Sequence, residues 1–206
     1  MHLKSVKRVK RRFKKTLKHI SIYFGSRKNR EVGDLDVVIC SPGGVATTML
    51  LEHIGCFLRT NDKDDRDTLK HVPDPELLLS DEKFRGQVIY VSGDLSSIVA
   101  SIERRGWIRI QGAKLGSLSS VLLPESAAKK AFTQAVSGQV NAFTKCSDHR
   151  LMRMSFEEIW DNTERLSYFL GIEDPSFSTD FPQRKQRQSE HPVARAQGKE
   201  RQDQTQ

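Results

Sequence analysis

The sequence predicts an α/β domain built on a parallel sheet. Three short apolar runs carry that reading, at residues 35–40, 88–91 and 151–154, and a helical pattern follows each one. A Gly-rich turn joins the first run to its helix, the place where such sheets bind ligands. The charge map isolates the domain. Residues 1–30 hold twelve basic and no acidic residues, whereas the middle, 31–182, carries a balance of −7 within a chain of net charge +8. The basic character therefore describes the ends and not the folded part.

The 206 residues divide into a basic amphipathic N-terminal extension (1–33), a domain (34–182) and a polar tail (183–206) expected to be disordered. In the extension, Val6, Val9, Phe13, Leu17 and Ile20 recur at helical spacing, with Lys and Arg between them. Such a helix suits an anionic membrane or a polyanion, and it is short enough to be marginal on its own. It lacks the continuous apolar core of a secretory signal. No apolar run approaches a membrane span. Three cysteines at unrelated spacings fit reduced thiols, so a cytoplasmic location is expected, with peripheral membrane contact as the alternative.

Leu35 to Cys40 reads as a buried strand, being continuously apolar after Asp36 and rich in β-branched residues. Ser41-Pro42-Gly43-Gly44 is a loop, and Thr47 to Leu58 a helix with Leu50, Leu51, Ile54, Phe57 and Leu58 on one face. Residues 59–83 are polar. The acidic run from Asp62 to Asp67 lacks the Gly and closing Glu of an EF-hand, so it reads as a solvated loop and no metal is expected. Val88 to Val91 is a second strand, and Leu95 to Arg105 its helix. Residues 106–124 have no clear period; within them Trp107 to Gln111 could line a nucleotide or acceptor wall. Glu125 to Thr144 is helical, Leu151 to Met154 a third strand, and Phe156 to Leu170 a helix ended by Gly171. Pro175 to Pro182 reads as extended.

The loop after the first strand has legible chemistry. Gly43 and Gly44 let the backbone turn tightly and approach a ligand. Val45, Ala46, Thr47 and Thr48 lead into a helix N-terminus, where free N–H groups and the helix dipole favour an anion. A Walker loop needs Lys before its Ser or Thr, and Ala46 stands there, which disfavours an ordinary ATPase.

Three ordered segments resemble the sulfotransferases that use 3′-phosphoadenosine 5′-phosphosulfate. Val45-Ala46-Thr47-Thr48-Met49-Leu50 is similar to the tail of the family's phosphosulfate loop. Val88 to Ser101 resembles its strand and 3′-phosphate motif, with Asp94 and Ser101 on matching positions. Met154 to Ile159 and Phe169-Leu170-Gly171-Ile172 look like its late strand, acidic helix start and helix ending.

The resemblance implies a three-layer P-loop-like fold with a central parallel sheet of four to five strands flanked by helices. It also implies transfer of a sulfuryl group to a hydroxyl or amine of an unknown acceptor, without a metal. Lys70 and His71 fall where the family places its substrate site and base. Arg184 and Lys185 are candidate cations for the donor. Two family cations are missing: Gly44 stands for the loop Lys and Gly93 for the 3′-phosphate Arg. The alternative is a catalytically inactive, sulfotransferase-like nucleotide-binding or interaction protein.

Overall fold

The computed structural model describes residues 2–25 and 32–184, with side chains from residue 14 onward. A basic helix opens the chain (α1, His2–Gly25). The domain then runs β1 (Val37–Cys40), α2 (Thr47–Ile54), α3 (Glu76–Leu79), β2 (Gln87–Ser92) and α4 (Leu95–Arg104). It continues with α5 (Ile108–Lys114), α6 (Leu118–Leu122), α7 (Glu125–Lys145), β3 (Leu151–Ser155), α8 (Thr163–Leu170) and α9 (Ser176–Thr179).

The strands form one parallel sheet in the order β1-β2-β3, with Val38 opposite Val88 and Val88 opposite Leu151. Successive side chains in a strand point to opposite faces, and here both faces are buried. Ile39, Ile89 and Met152 join one cluster with Leu50, Ile98, Phe132 and Leu166 from α2, α4, α7 and α8. Val38, Val88 and Tyr90 join the other with Leu69, Leu78, Phe84 and Phe143. This two-sided burial explains why β1 and β2 read as continuous apolar runs.

The sheet has three strands among the described residues, not four or five. The outer edge of β1 is closed by other means. The Asn61 side chain accepts from Ile39 N–H (2.7 Å) and donates to Ile39 C=O (3.2 Å), as a neighbouring strand would. Beside it, Thr60 makes a single parallel bridge to Val37. One amide thus satisfies backbone groups that would otherwise demand another strand.

Three other expectations are corrected, and the stretch without a clear period takes a definite structure. The helix expected over 47–58 stops at Ile54, and a tight turn through Gly55 carries the chain to Leu58. The region 106–124 holds two short helices, α5 and α6. The helix expected over 156–170 begins only at Thr163: residues 156–162 form turns, and Asn162 donates its side-chain amide to Glu158 C=O and leaves the helical φ. The stretch 175–182 contains α9, because Asp174 accepts from Ser176 N–H and Pro175 supplies a helix-compatible φ. Gly171 ends α8 in the left-handed region, as expected.

α1 is anchored to the domain. It packs against α5 and α6, where Tyr23 is buried with Ala113 and Val121. No helix among the described residues is long and apolar enough to cross a membrane.

Candidate functional site

The loop between β1 and α2 folds as its glycines suggest. Gly43 has φ +104° and Gly44 φ +75°, both in the region that favours glycine. Ala46 joins them at φ 57°, a strained conformation for a residue with a Cβ. The Ser41 hydroxyl locks the turn, accepting from Gly43 N–H (3.1 Å) and sharing a proton with the Thr47 hydroxyl (2.6 Å). Leu50 N–H is the first to bond back, to Ala46 C=O. The N–H groups of Thr47, Thr48 and Met49 therefore have no acceptor within the helix.

A cavity of about 280 Å³ opens over this loop. Gly43, Gly44, Val45, Ala46, Thr47 and Thr48 form one side. Lys70 and His71 form a second, and Arg105, Trp107 and Gln111 a third. Three stretches far apart in sequence thus converge on one concave site, each from the end of an element: β1 to α2, the loop before α3, and α4 to α5.

Lys70 reaches the first turn of α2. Its ammonium donates to the Thr48 hydroxyl (2.6 Å) and to Lys63 C=O (2.8 Å). Burial pushes its pKa below the usual lysine value, while Asp65 opposes that fall. His71 sits below the loop. Its Nδ1 lies 2.8 Å from Ser41 C=O, and since a carbonyl only accepts, Nδ1 carries the hydrogen. Nε2 then holds the lone pair, 4.0 Å from Asp65 Oδ2. Burial lowers the His71 pKa to about 4, so the imidazole is neutral at physiological pH.

The acidic run is not a solvated loop throughout. Asp65 is buried at φ 59° and Asp67 half-buried; the burial of Asp67 raises its pKa. Asp65 accepts from Lys70 N–H (2.9 Å), and Asp67 accepts from the N–H groups of Asp62 and Leu69. Lys114 of α5 lies 2.5 Å from Asp65 Oδ2, an ion contact outside hydrogen-bond alignment. The carboxylates therefore hold the loop that delivers Lys70, and Gln139 of α7 ties its end down by donating to Val72 C=O.

Sequence reasoning missed Asp65, Lys114 and Arg105. Asp65 looked like one acid among many, and Lys114 lies in a stretch without a period. Gln111 is 7% exposed, and its Oε1 has no partner among the described residues. An unpaired buried polar atom on a cavity wall is a natural place for a ligand donor. Trp107 leaves nearly half its surface open, with the Arg105 guanidinium 5.3 Å from its ring centroid.

Other candidates lie elsewhere. Ser101 is buried behind the loop; its hydroxyl is 3.4 Å from where a Gly44 Cβ would stand. Asp94 does not line the cavity: it caps α4, accepting from Ser97 N–H (2.7 Å) and the Ser96 hydroxyl (2.5 Å). Arg184 lies over the rings of Phe156 and Trp160 and is not among the cavity residues either. Lys185 is outside the described residues. No group of three or more His, Cys, Asp and Glu side chains converges as a metal site among the described residues. Comparison with protein-family models, curated proteins and solved structures finds no match to this chain.

Proposed function

We propose that the chain is a P-loop-like sulfotransferase whose cavity takes the phosphosulfate end of 3′-phosphoadenosine 5′-phosphosulfate. One observation carries this reading: the 43–48 loop, with N–H groups at a helix start that have no acceptor within the helix, faces one cavity with Lys70 bonded to Thr48. An anion placed there meets backbone donors, the positive end of a helix and one ammonium group. A cytoplasmic setting is consistent with three unpaired cysteines.

In the transfer, an acceptor oxygen or nitrogen bonds to sulfur as the bond from sulfur to the phosphate oxygen breaks. That oxygen keeps the electron pair. Lys70, bonded to the Thr48 hydroxyl, is a cation placed to stabilise the developing charge. The acceptor's proton leaves to solvent water, because an imidazole of pKa about 4 is a weak base. His71 is better suited to positioning, since it pins Ser41 C=O and hence the loop.

A second reading, binding without transfer, is favoured by the glycines that replace two cations. Gly44 has φ +75°, and a Cβ on Gly93 would stand 3.0 Å from Val45 Cγ1. The local backbone and packing are suited to glycine at both places.

Labelled donor with a panel of alcohol, phenol and amine acceptors tests the first reading. Transfer that Lys70→Met abolishes supports it. Thermal protection by adenosine 3′,5′-bisphosphate without any transfer selects the second reading. Neither protection nor transfer sinks both.

A further inference from the structure

Among its described side chains, α1 docks on the domain by one edge. His19 and Tyr23 are buried against the α5–α6 corner, and Ile20 and Ile22 are half-buried there. Leu17 and Phe24, seven residues apart and so on one face, are 49% and 59% exposed. Lys14, Lys15 and Lys18 are exposed alongside them. α6, on which α1 packs, leaves Leu122 exposed at its end, followed by exposed Leu123. Two open apolar side chains thus lie among lysines, in a segment of thirty residues with twelve cations and no acid.

We propose that this face of α1 is a docking surface for an anionic phospholipid bilayer. The helix lies in the plane of the interface, with Leu17 and Phe24 entering the acyl boundary and the lysines meeting lipid phosphates. It is not a membrane span, being too polar. Charge complementarity selects an anionic partner. The open apolar residues select a bilayer over a nucleic acid, which would answer the lysines and leave Leu17 and Phe24 against water. This inference stands apart from the proposed chemistry, because it uses no cavity residue.

Co-sedimentation of the full chain with vesicles tests it. One vesicle set is phosphatidylcholine alone; the other contains about 30% phosphatidylserine. Binding is expected to the anionic set only and to weaken with salt. The double variant Leu17→Asp/Phe24→Asp should weaken it at least ~10-fold. A separate variant, Lys14→Glu/Lys15→Glu/Lys18→Glu, should do the same by charge alone. All five positions used are exposed, and circular dichroism of both variants checks that the fold is kept. Failure to bind anionic vesicles overturns the proposal. So does equal binding to neutral vesicles. Binding of single-stranded RNA that displaces the vesicles and survives Leu17→Asp/Phe24→Asp identifies a polyanion surface instead, and also overturns it.

Discussion

Acid should loosen this domain through His71, by an amount the structure allows to be worked out. The imidazole is buried, with Nδ1–H held by Ser41 C=O, and its pKa falls from 6.5 to about 4 on folding. The unfolded chain therefore binds a proton that the folded chain refuses. The stability tied to neutral His71 is complete above about pH 7 and declines as pH falls through 6.5 toward 4. Between about pH 7.5 and pH 5 those two pKa values give a loss of about 2 kcal/mol. Other groups titrate in that range, so the measurement is a difference. His71→Asn keeps an amide N–H near the Nδ1 position and cannot take up the proton. Urea unfolding of parent and variant at several pH values gives the stability gap between them. That gap should shift against the parent by about 2 kcal/mol over the interval. A gap constant to within about 0.5 kcal/mol would refute the buried, neutral state assigned to His71.

Four further outcomes are expected. Asp65→Asn removes the counter-charge of Lys114 and should cost about 2–4 kcal/mol, less than a fully buried pair because Lys114 is partly exposed; a double-mutant cycle with Lys114→Met should show non-additivity, and strict additivity would mean the ion contact is absent. Gly112→Ala would bring a Cβ to 2.3 Å from Ser120 Cβ between α5 and α6, so a loss of about 2 kcal/mol and a melting midpoint lower by ~4–8 °C are expected by calorimetry. Ala46→Gly relieves the left-handed strain at φ 57° and should leave stability unchanged or raise it by up to about 1 kcal/mol, the gain being offset by unfolded-chain entropy. Lys70→Met should leave the melting midpoint nearly unchanged, since it removes a desolvated charge, yet cut sulfuryl transfer by about 10²–10³-fold if the proposed chemistry holds.

The parts of the fold legible in the sequence are those written by local pattern. β1 and β2 are continuous apolar runs because both faces of the sheet are covered, and Gly171 closes α8 because only a residue without a Cβ adopts its φ easily. The loop glycines announced a tight turn for the same reason. What escaped depends on tertiary partners. Nothing in the composition of residues 59–83 tells that Asn61 will complete the edge of β1. Nor does it tell that Asp65 will turn inward to Lys114 from fifty residues away. The late start of α8 after Asn162 is a contest between helix periodicity and one side-chain hydrogen bond, which pattern counting cannot weigh. At the site, adjacency carried Lys70 and His71 together. Gln111 joined them only because α5 folds over the loop.

The loop from Gly43 to Thr48 holds no lysine, and its geometry suits that composition. A lysine at position 44 would have to adopt φ +75° with its Cβ beside the Ser101 hydroxyl, so the backbone here is built for glycine. The positive charge instead arrives from outside the loop: Lys70 from a segment braced by inward carboxylates, Arg105 from the end of α4, and Lys114 behind them on α5. Asp65 is the hinge of this arrangement, because it holds the backbone of Lys70 and neutralises Lys114 at once. With them paired, Lys70 is held at the helix start through its bond to the Thr48 hydroxyl. Its burial lowers its pKa, which favours giving up a proton when no anion is present and holding it when one arrives. Anion binding at this site should accordingly be coupled to proton uptake in alkaline solution, and calorimetric titration in buffers of different ionisation enthalpy would read that coupling directly.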